Sequence, residues 1–300
     1  MSFEKTLMIG RQSCFIEYSK LNLMLRAYDP SYTLEEAQKI KEELDNTKLE
    51  WYSYSEPLFH YLGAKAVDSV DYCDYERATI IHDMNVPIHQ SLKDSFSLVY
   101  DGGTLEHVFN YPVAIKNCMD MVKINGHLML MTPANNAFGH GFYQFSPELF
   151  YSLLTEVNGY SDTVVFIQDK KLKWYKVISP QKAKERVDIC IDTKGSAMLT
   201  VISKKIGNVP ERLTAMQSDY VDLWEKGIVV DGTPSAQNGL LLLYRVLPKN
   251  LRIWLTPKIK KILNVFGREA YNKRARIRKF YERFPDFKNV RRGGGGKIRF

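Results

Sequence analysis

The chain is short of cysteine, has no long apolar run, and carries almost no glycine where a nucleotide-binding turn would need it. Its four cysteines, Cys14, Cys73, Cys118 and Cys190, form no CxxC pair and no regular spacing. That excludes a zinc ribbon and a disulfide framework, suits a reducing compartment, and leaves no metal expected. No apolar stretch approaches the roughly 20 residues that span a bilayer, and the start, MSFEKTLMIGRQ, lacks the basic and apolar regions of a signal peptide. A cytoplasmic protein is the expectation. The turn Met8-Ile9-Gly10-Arg11-Gln12-Ser13 holds a single glycine, so the GxGxxG dinucleotide fingerprint is absent. No internal repeat is visible.

What is present points to a globular protein. With 300 residues and 45% apolar content, the chain can bury a sizeable core. The net charge of +8 is unevenly spread. From Arg245 to Phe300 there are 18 Lys and Arg against Glu269, Glu282 and Asp286, which leaves the rest acidic, with 24 bases and 31 acids. An acidic body with a basic tail suggests that the tail meets any anionic partner.

Along the chain, Lys5 to Ile16 reads as a first strand broken at Gly10. Tyr18–Ala27 and Leu34–Leu44 have helical periodicity, and Thr33 with Glu36 forms a capping box before the second, which is charged enough to be a solvated surface helix. A further helix runs from Glu56 to Gly63. Three apolar segments follow, Ala66–Val70, Ala78–Ile81 and Phe96–Tyr100, each ending near an aspartate: Asp71, Asp83 and Asp101. A helix over Pro112–Val122 leads through an Asn125-Gly126 turn into a strand, His127–Met131, and Ser146-Pro147-Glu148 caps the next helix. Thr163–Gln168 and Met198–Ser203 read as an antiparallel end pair, separated by a mixed-charge insertion, and a helix is expected around Leu213–Trp224. Strands alternating with helices predict an α/β fold with a mainly parallel sheet covered on both faces. The domain expected over residues 1–206 is followed by a basic, mostly helical extension over 207–300 that ends in a glycine-rich RRGGGGKIRF.

Two segments are specific: Asp101 to Asn110, DGGTLEHVFN, and Gly139 to Phe150, GHGFYQFSPELF. Through them, and more loosely over about residues 5 to 205, the chain resembles the class I S-adenosylmethionine-dependent methyltransferases, in particular a bacterial subgroup often found beside surface-polysaccharide genes. The resemblance implies a Rossmann-like seven-stranded sheet, with S-adenosylmethionine lying across the carboxyl ends of the first four strands. It also implies methylation of a sugar or glycan intermediate. A nucleic-acid methyltransferase using the basic tail, and a catalytically silent methyltransferase-like binding protein, stand as alternatives.

The candidate site residues follow from strand-end chemistry. Asp71, ending the second strand, suits a ribose diol, because a carboxylate can accept from two hydroxyls in a fixed fork; the plain alternative is a turn cap. Asp83 can accept from the adenine amino group while Met84 packs on the ring, or it can form an Asx turn. Gly10, Asp101 and Gly102 sit where the backbone can approach the donor. His107 and His140, with Glu106, are the candidate catalytic residues, because an imidazole titrating near neutrality can take a proton from an acceptor hydroxyl. Either histidine can instead be structural. Asn135, Asn136 and Tyr143 are candidate contacts to sugar hydroxyls, with turn formation the competing role for the asparagines. For residues 245–300, the open readings are an anionic membrane surface at the inner face, nucleic acid, or packing on the acidic body of this or a neighbouring subunit.

Overall fold

The computed structural model describes residues 1–225 apart from 15, 30, 50–51, 170–172 and 181–194, together with 281–283. Of the basic, mostly helical extension expected over 207–300, residues 226–280 and 284–300, the glycine run included, lie outside the described residues, and Tyr281–Arg283 form a short strand, β9. The chain divides into two compact units. The first includes residues 1–179 and 193–216, and the second includes 180–192 and 217–282. Helix α6 (Ser218–Glu225) belongs to the second, later and shorter than expected.

The first unit is a mixed α/β sheet flanked by helices. Among the described residues its strands include β1 (Lys5–Ile9), β2 (Ala66–Asp71), β3 (Ile80–Ile81), β4 (Phe96–Asp101), β5 (Val122–Asn135), β6 (Tyr160–Gln168), β7 (Trp174–Val177) and β8 (Ala197–Lys205). They lie in the order β3-β2-β1-β4-β5-β8-β6-β7, parallel as far as β5. Strand β8 is antiparallel to both β5 and β6, as the end-pair expectation had it. Strand β7, which completes a hairpin on β6, was not expected: it occupies part of the mixed-charge segment and owes its form to pairing with β6. Asn125-Gly126 does not separate helix from strand. It is an irregularity inside β5, whose first residue already pairs with Phe96. Asn125 is left-handed at φ +66, and a side chain at Gly126 would meet Lys123 O at 2.8 Å and Ser97 O at 2.9 Å. The backbone there comes too close to β4 for a Cβ.

Local signals account for the helices. The Thr33–Glu36 capping box forms in both directions at the start of α2 (Leu34–Asn46). Although charged outside, α2 buries Ala37, Ile40 and Leu44 against Leu21 and Leu25 of α1 (Tyr18–Tyr28). Helix α3 (Glu56–Tyr61) sets Phe59 against Met8 and Leu98. Because strand side chains alternate, Leu7, Ile9, Val99 and Asp101 face the other way. On that side lies α4 (Tyr111–Met121), with Ala114, Ile115 and Cys118 fully buried. Helix α5 (Pro147–Leu153) is capped by Ser146, whose hydroxyl accepts from Glu148 N at 3.2 Å.

One buried cation ties β8 to the amino-terminal edge. Lys205, 1% exposed, donates from Nζ to Asp94 Oδ1 at 2.8 Å, Met119 O at 3.1 Å and Asp120 O at 3.2 Å. All three ammonium protons are therefore used. Lys205→Ala removes a buried four-carbon stem and these bonds, and is expected to lower the unfolding free energy by about 3 kcal/mol. Lys205→Met keeps the packing and should lose only about 1 kcal/mol. Urea unfolding of the two variants checks this, and equal losses would contradict it.

Candidate active site

The strand order reverses between β1 and β4: the chain builds β1, β2 and β3 to one side, then β4 and β5 to the other. A crevice at the carboxyl ends of those two strands is where open α/β sheets bind ligands. Register brings the expected positions to this edge. Ile9 lies opposite both Val70 and Asp101, and Asp71 opposite Ile81, so Gly10, Asp71, Asp83 and Gly102 follow neighbouring strand ends.

Gly10 adopts φ +68 and donates its N–H to Val70 O at 2.7 Å. A Cβ there would sit 2.5 Å from Thr104 Oγ1, and one at Gly102 would strike the Gln12 side chain and approach the Tyr100 hydroxyl at 2.9 Å. Gln12, absent from the expected site, therefore crosses the space between the two glycines. Its amide donates to Ile9 O and to Thr104 Oγ1, the latter at 2.9 Å, and Thr104 in turn donates to Ile9 O at 2.8 Å. Arg11 turns the other way. It stacks on the Tyr54 ring at 4.0 Å, donates to Glu56 Oε1 at 2.6 Å and donates to Glu76 O at 3.0 Å. The second oxygen of Glu56 is buried without a hydrogen-bond partner. Residues Arg11 and Gln12 were visible as the polar end of a glycine-poor turn. Nothing local in the sequence pointed to Glu56.

The aspartates divide into different roles. Asp71 Oδ1 accepts from Tyr72 N at 2.6 Å. Asp83 Oδ1 accepts from the backbone and side chain of Asn85, at 2.9 and 2.8 Å, which holds its carboxyl below the usual range and makes the Asx turn. Asn85 then accepts from Asn110 N at 2.9 Å, tying β3's exit to the start of α4. Met84 is buried beside them, 6% exposed. Asp101 has its carboxyl on the α4 side of the sheet, fully buried. Its Oδ1 accepts from Thr104 N at 2.9 Å, and its Oδ2 has no hydrogen-bond partner. Burial pushes this carboxyl up to about 7, partly offset by the turn's N–H groups and reinforced by Glu106. Burial likewise raises the Tyr111 phenol and the Cys118 thiol, both next to Asp101.

Glu106, His107 and His140 come together. The first two lie on a single 3-10 turn, Leu105–His107, directly after β4. His140 arrives from the loop after β5, whose Gly139 and Gly141 are left-handed at φ +83 and +76. Gly141 passes so close that a Cβ would lie 2.9 Å from Glu106 O, and Phe142 N donates to that same carbonyl at 2.8 Å. As a result His140 Nε2 stands 3.6 Å from Glu106 Oε1, and the two imidazole rings are 5.1 Å apart, edge to face. Glu106 is fully buried with no hydrogen bond to either carboxylate oxygen, while both histidines are exposed.

The candidate sugar contacts are occupied otherwise. Asn135 Oδ1 accepts from Asn136 N at 2.9 Å, Asn136 is left-handed at φ +54, and its Nδ2 donates to Gly195 O at 3.2 Å. The Tyr143 hydroxyl donates to Phe109 O at 2.6 Å, and its ring stacks on Phe145. What faces solvent beside the histidines is aromatic: Phe109 is 72% exposed and Phe142 66%, with their rings 5.9 Å apart.

Three solved methyltransferase structures match parts of the chain at low similarity. The CMeT domain of the citrinin polyketide synthase matches at 11% identity and TM-score 0.36, over 69% of this chain and 47% of its own. A phosphoethanolamine N-methyltransferase from Haemonchus contortus, in complex with S-adenosylhomocysteine, matches at 8% and 0.37, over 68% and 49%. The N-methyltransferase NodS from Bradyrhizobium japonicum WM9 matches at 13% and 0.30, over 67% and 86%. This chain thus spans about half of the first two and most of the third. No family model matches the chain, and no curated protein does. Among the described residues, no helix is long and apolar enough to cross a membrane.

Proposed function

We propose that the chain is an S-adenosylmethionine-dependent methyltransferase acting on a hydroxyl of a sugar or glycan intermediate. What carries this is the switch point between β1 and β4, with Gly10, Asp71, Asp83 and Gly102 following neighbouring strand ends around it. The residues suit the donor. Gly10 and Gly102 carry no side chain of their own and are covered by Gln12 and Thr104, Asp71 would accept from the ribose hydroxyls, and Asp83 with Met84 would flank the adenine. Asp101 supports the turn beneath the site instead of touching the donor. Gln12 must swing out of the crevice, which its half-buried, flexible side chain permits.

When bound, the donor supplies an electrophilic methyl group on a sulfonium, so the protein's main task is alignment, worth on the order of 7 to 11 kcal/mol in favourable models. A sugar hydroxyl is weakly acidic, and the Glu106, His107 and His140 cluster is where its proton would go. His140 or His107 takes it, with Glu106 beside them. The exposed rings of Phe109 and Phe142 suit the apolar face of a pyranose better than Asn135, Asn136 or Tyr143, which are held in turns. The acceptor is expected at the cytoplasmic face of a membrane, approached through the basic residues 245–300, each worth about 1 kcal/mol near anionic lipid.

Titration with S-adenosylhomocysteine tests the donor half. Binding by the intact protein, weakened at least about tenfold by Asp71→Ala, is expected. No binding, or no effect of Asp71→Ala, rejects the assignment. The side chain of Gln12 between the two glycines favours a second reading, a silent methyltransferase-like fold. Donor-dependent methylation of any acceptor in a cell extract eliminates it.

A further inference from the structure

Glu106 presents a problem that the hydrogen bonds of its surroundings do not solve. Its carboxyl is 0% exposed, and neither oxygen accepts a hydrogen bond. An isolated buried carboxylate costs several kcal/mol unless a positive charge answers it. His140 Nε2 stands 3.6 Å from one oxygen, beyond hydrogen-bond reach, and the other oxygen has no partner either.

We propose that Glu106, His107 and His140 bind a first-row divalent cation. One ligand atom from each lies within 4.8 Å of the others. The 3.6 Å between Glu106 Oε1 and His140 Nε2 is close to the ~3.4 Å between two ligands of a tetrahedral ion about 2.1 Å away. The remaining excess closes by turning His107, an exposed imidazole at the end of a short turn. Two imidazoles and one carboxylate suit zinc and its neighbours, whereas magnesium and calcium prefer oxygen ligands throughout. The backbone is shaped to the cluster as well: Gly141 permits the approach of the His140 loop, and a Cβ at Gly103 would come to 3.3 Å from Glu106 Oε1. The carboxylate side of the cluster is closed, while both imidazoles face solvent, so a bound cation keeps open positions on the side where a ligand arrives.

For chemistry, this inference rests on the methyltransferase reading. With the cation held by Glu106, His107 and His140, the two imidazoles would be its ligands in place of the proton acceptors named above, and the cation would supply acidification of an acceptor hydroxyl whose proton passes to water. Cation binding itself does not depend on that reading.

The test uses full-length, tag-free protein stripped with chelator. Calorimetry with zinc chloride is expected to show one equivalent bound with micromolar or tighter affinity, and cobalt chloride to give visible absorption of a cobalt–imidazole complex. His140→Ala and Glu106→Gln should each weaken zinc at least about tenfold, while His89→Ala, an exposed histidine outside the cluster, should not. Absence of a stoichiometric site in the unmutated protein overturns the proposal, as does equal zinc affinity in the His107→Ala, His140→Ala double variant. The first of these needs no variant to fold. A parallel titration with S-adenosylhomocysteine separates the two claims. Donor binding without zinc rejects the cation alone, and zinc without donor binding rejects the methyltransferase reading alone.

Discussion

Gly10→Val is expected to lower affinity for S-adenosylhomocysteine at least about 100-fold, close to 3 kcal/mol. Two independent penalties meet at this position. The backbone is left-handed at φ +68, which a β-branched residue strongly resists. The added Cβ would also stand 2.5 Å from Thr104 Oγ1. Thr104 has little room to retreat, because it is bonded to Ile9 O and to Gln12 and its N–H caps Asp101. Relief must therefore come from displacing the turn that would face the donor. Gly63→Ala is the matched control: φ is +100, but nothing lies within 4 Å of the new Cβ. It should cost about 1 kcal/mol of stability and leave donor affinity intact. Urea unfolding and calorimetric titration of both variants, side by side, separate strain from close approach. Normal binding by a folded Gly10→Val protein would show that this turn is not part of the donor site.

Asp101→Asn is expected to change how stability depends on pH. The carboxyl has its ordinary value of 3.8 when unfolded and is raised to about 7 when folded, so the folded state holds the proton more tightly. Its contribution is fully present below pH 3.8 and is lost progressively as pH rises to about 7, beyond which it is constant. Three units correspond to about 4 kcal/mol at most. The asparagine keeps the acceptor for Thr104 N but does not titrate. Unfolding measured in chelator at pH 4, 6 and 8 should therefore show the wild-type protein losing stability relative to the variant as pH rises. A constant difference across that range would mean that Asp101 is less desolvated than its burial implies.

Much of the fold was legible because its signals are local. The Thr33–Glu36 capping box, Ser146 before Pro147, and the apolar runs ending at Ile9, Asp71 and Asp101 each depend on neighbours a few residues away. Strand β7 and the long β5 were not, because both owe their form to partners far along the chain. Trp174–Val177 extends by pairing with β6, and Asn125-Gly126, a turn by composition, is carried inside β5 by the pairing of Val122 with Phe96. The site divides along the same line. Residue type marked Asp83 as either an adenine contact or an Asx turn, and the Asn85 bonds supply the turn. The obstruction by Gln12 followed from no local rule, since it depends on Gly102 and Thr104, some 90 residues away.

The sequence by itself determined the chemistry on offer: strand-end acids, bare glycines, and Glu106, His107 and His140 as groups able to handle a proton, since these are properties of single residues and short spacings. Only the tertiary structure decided which of them meet. Adjacent β4 and β5 deliver their exit loops to the same edge, and Gly141 lets one loop press on the other. The sheet and α4 then remove water from Glu106 and Asp101 but not from the two imidazoles. Desolvation sums over contacts from the whole unit, which is why no stretch of sequence could announce it.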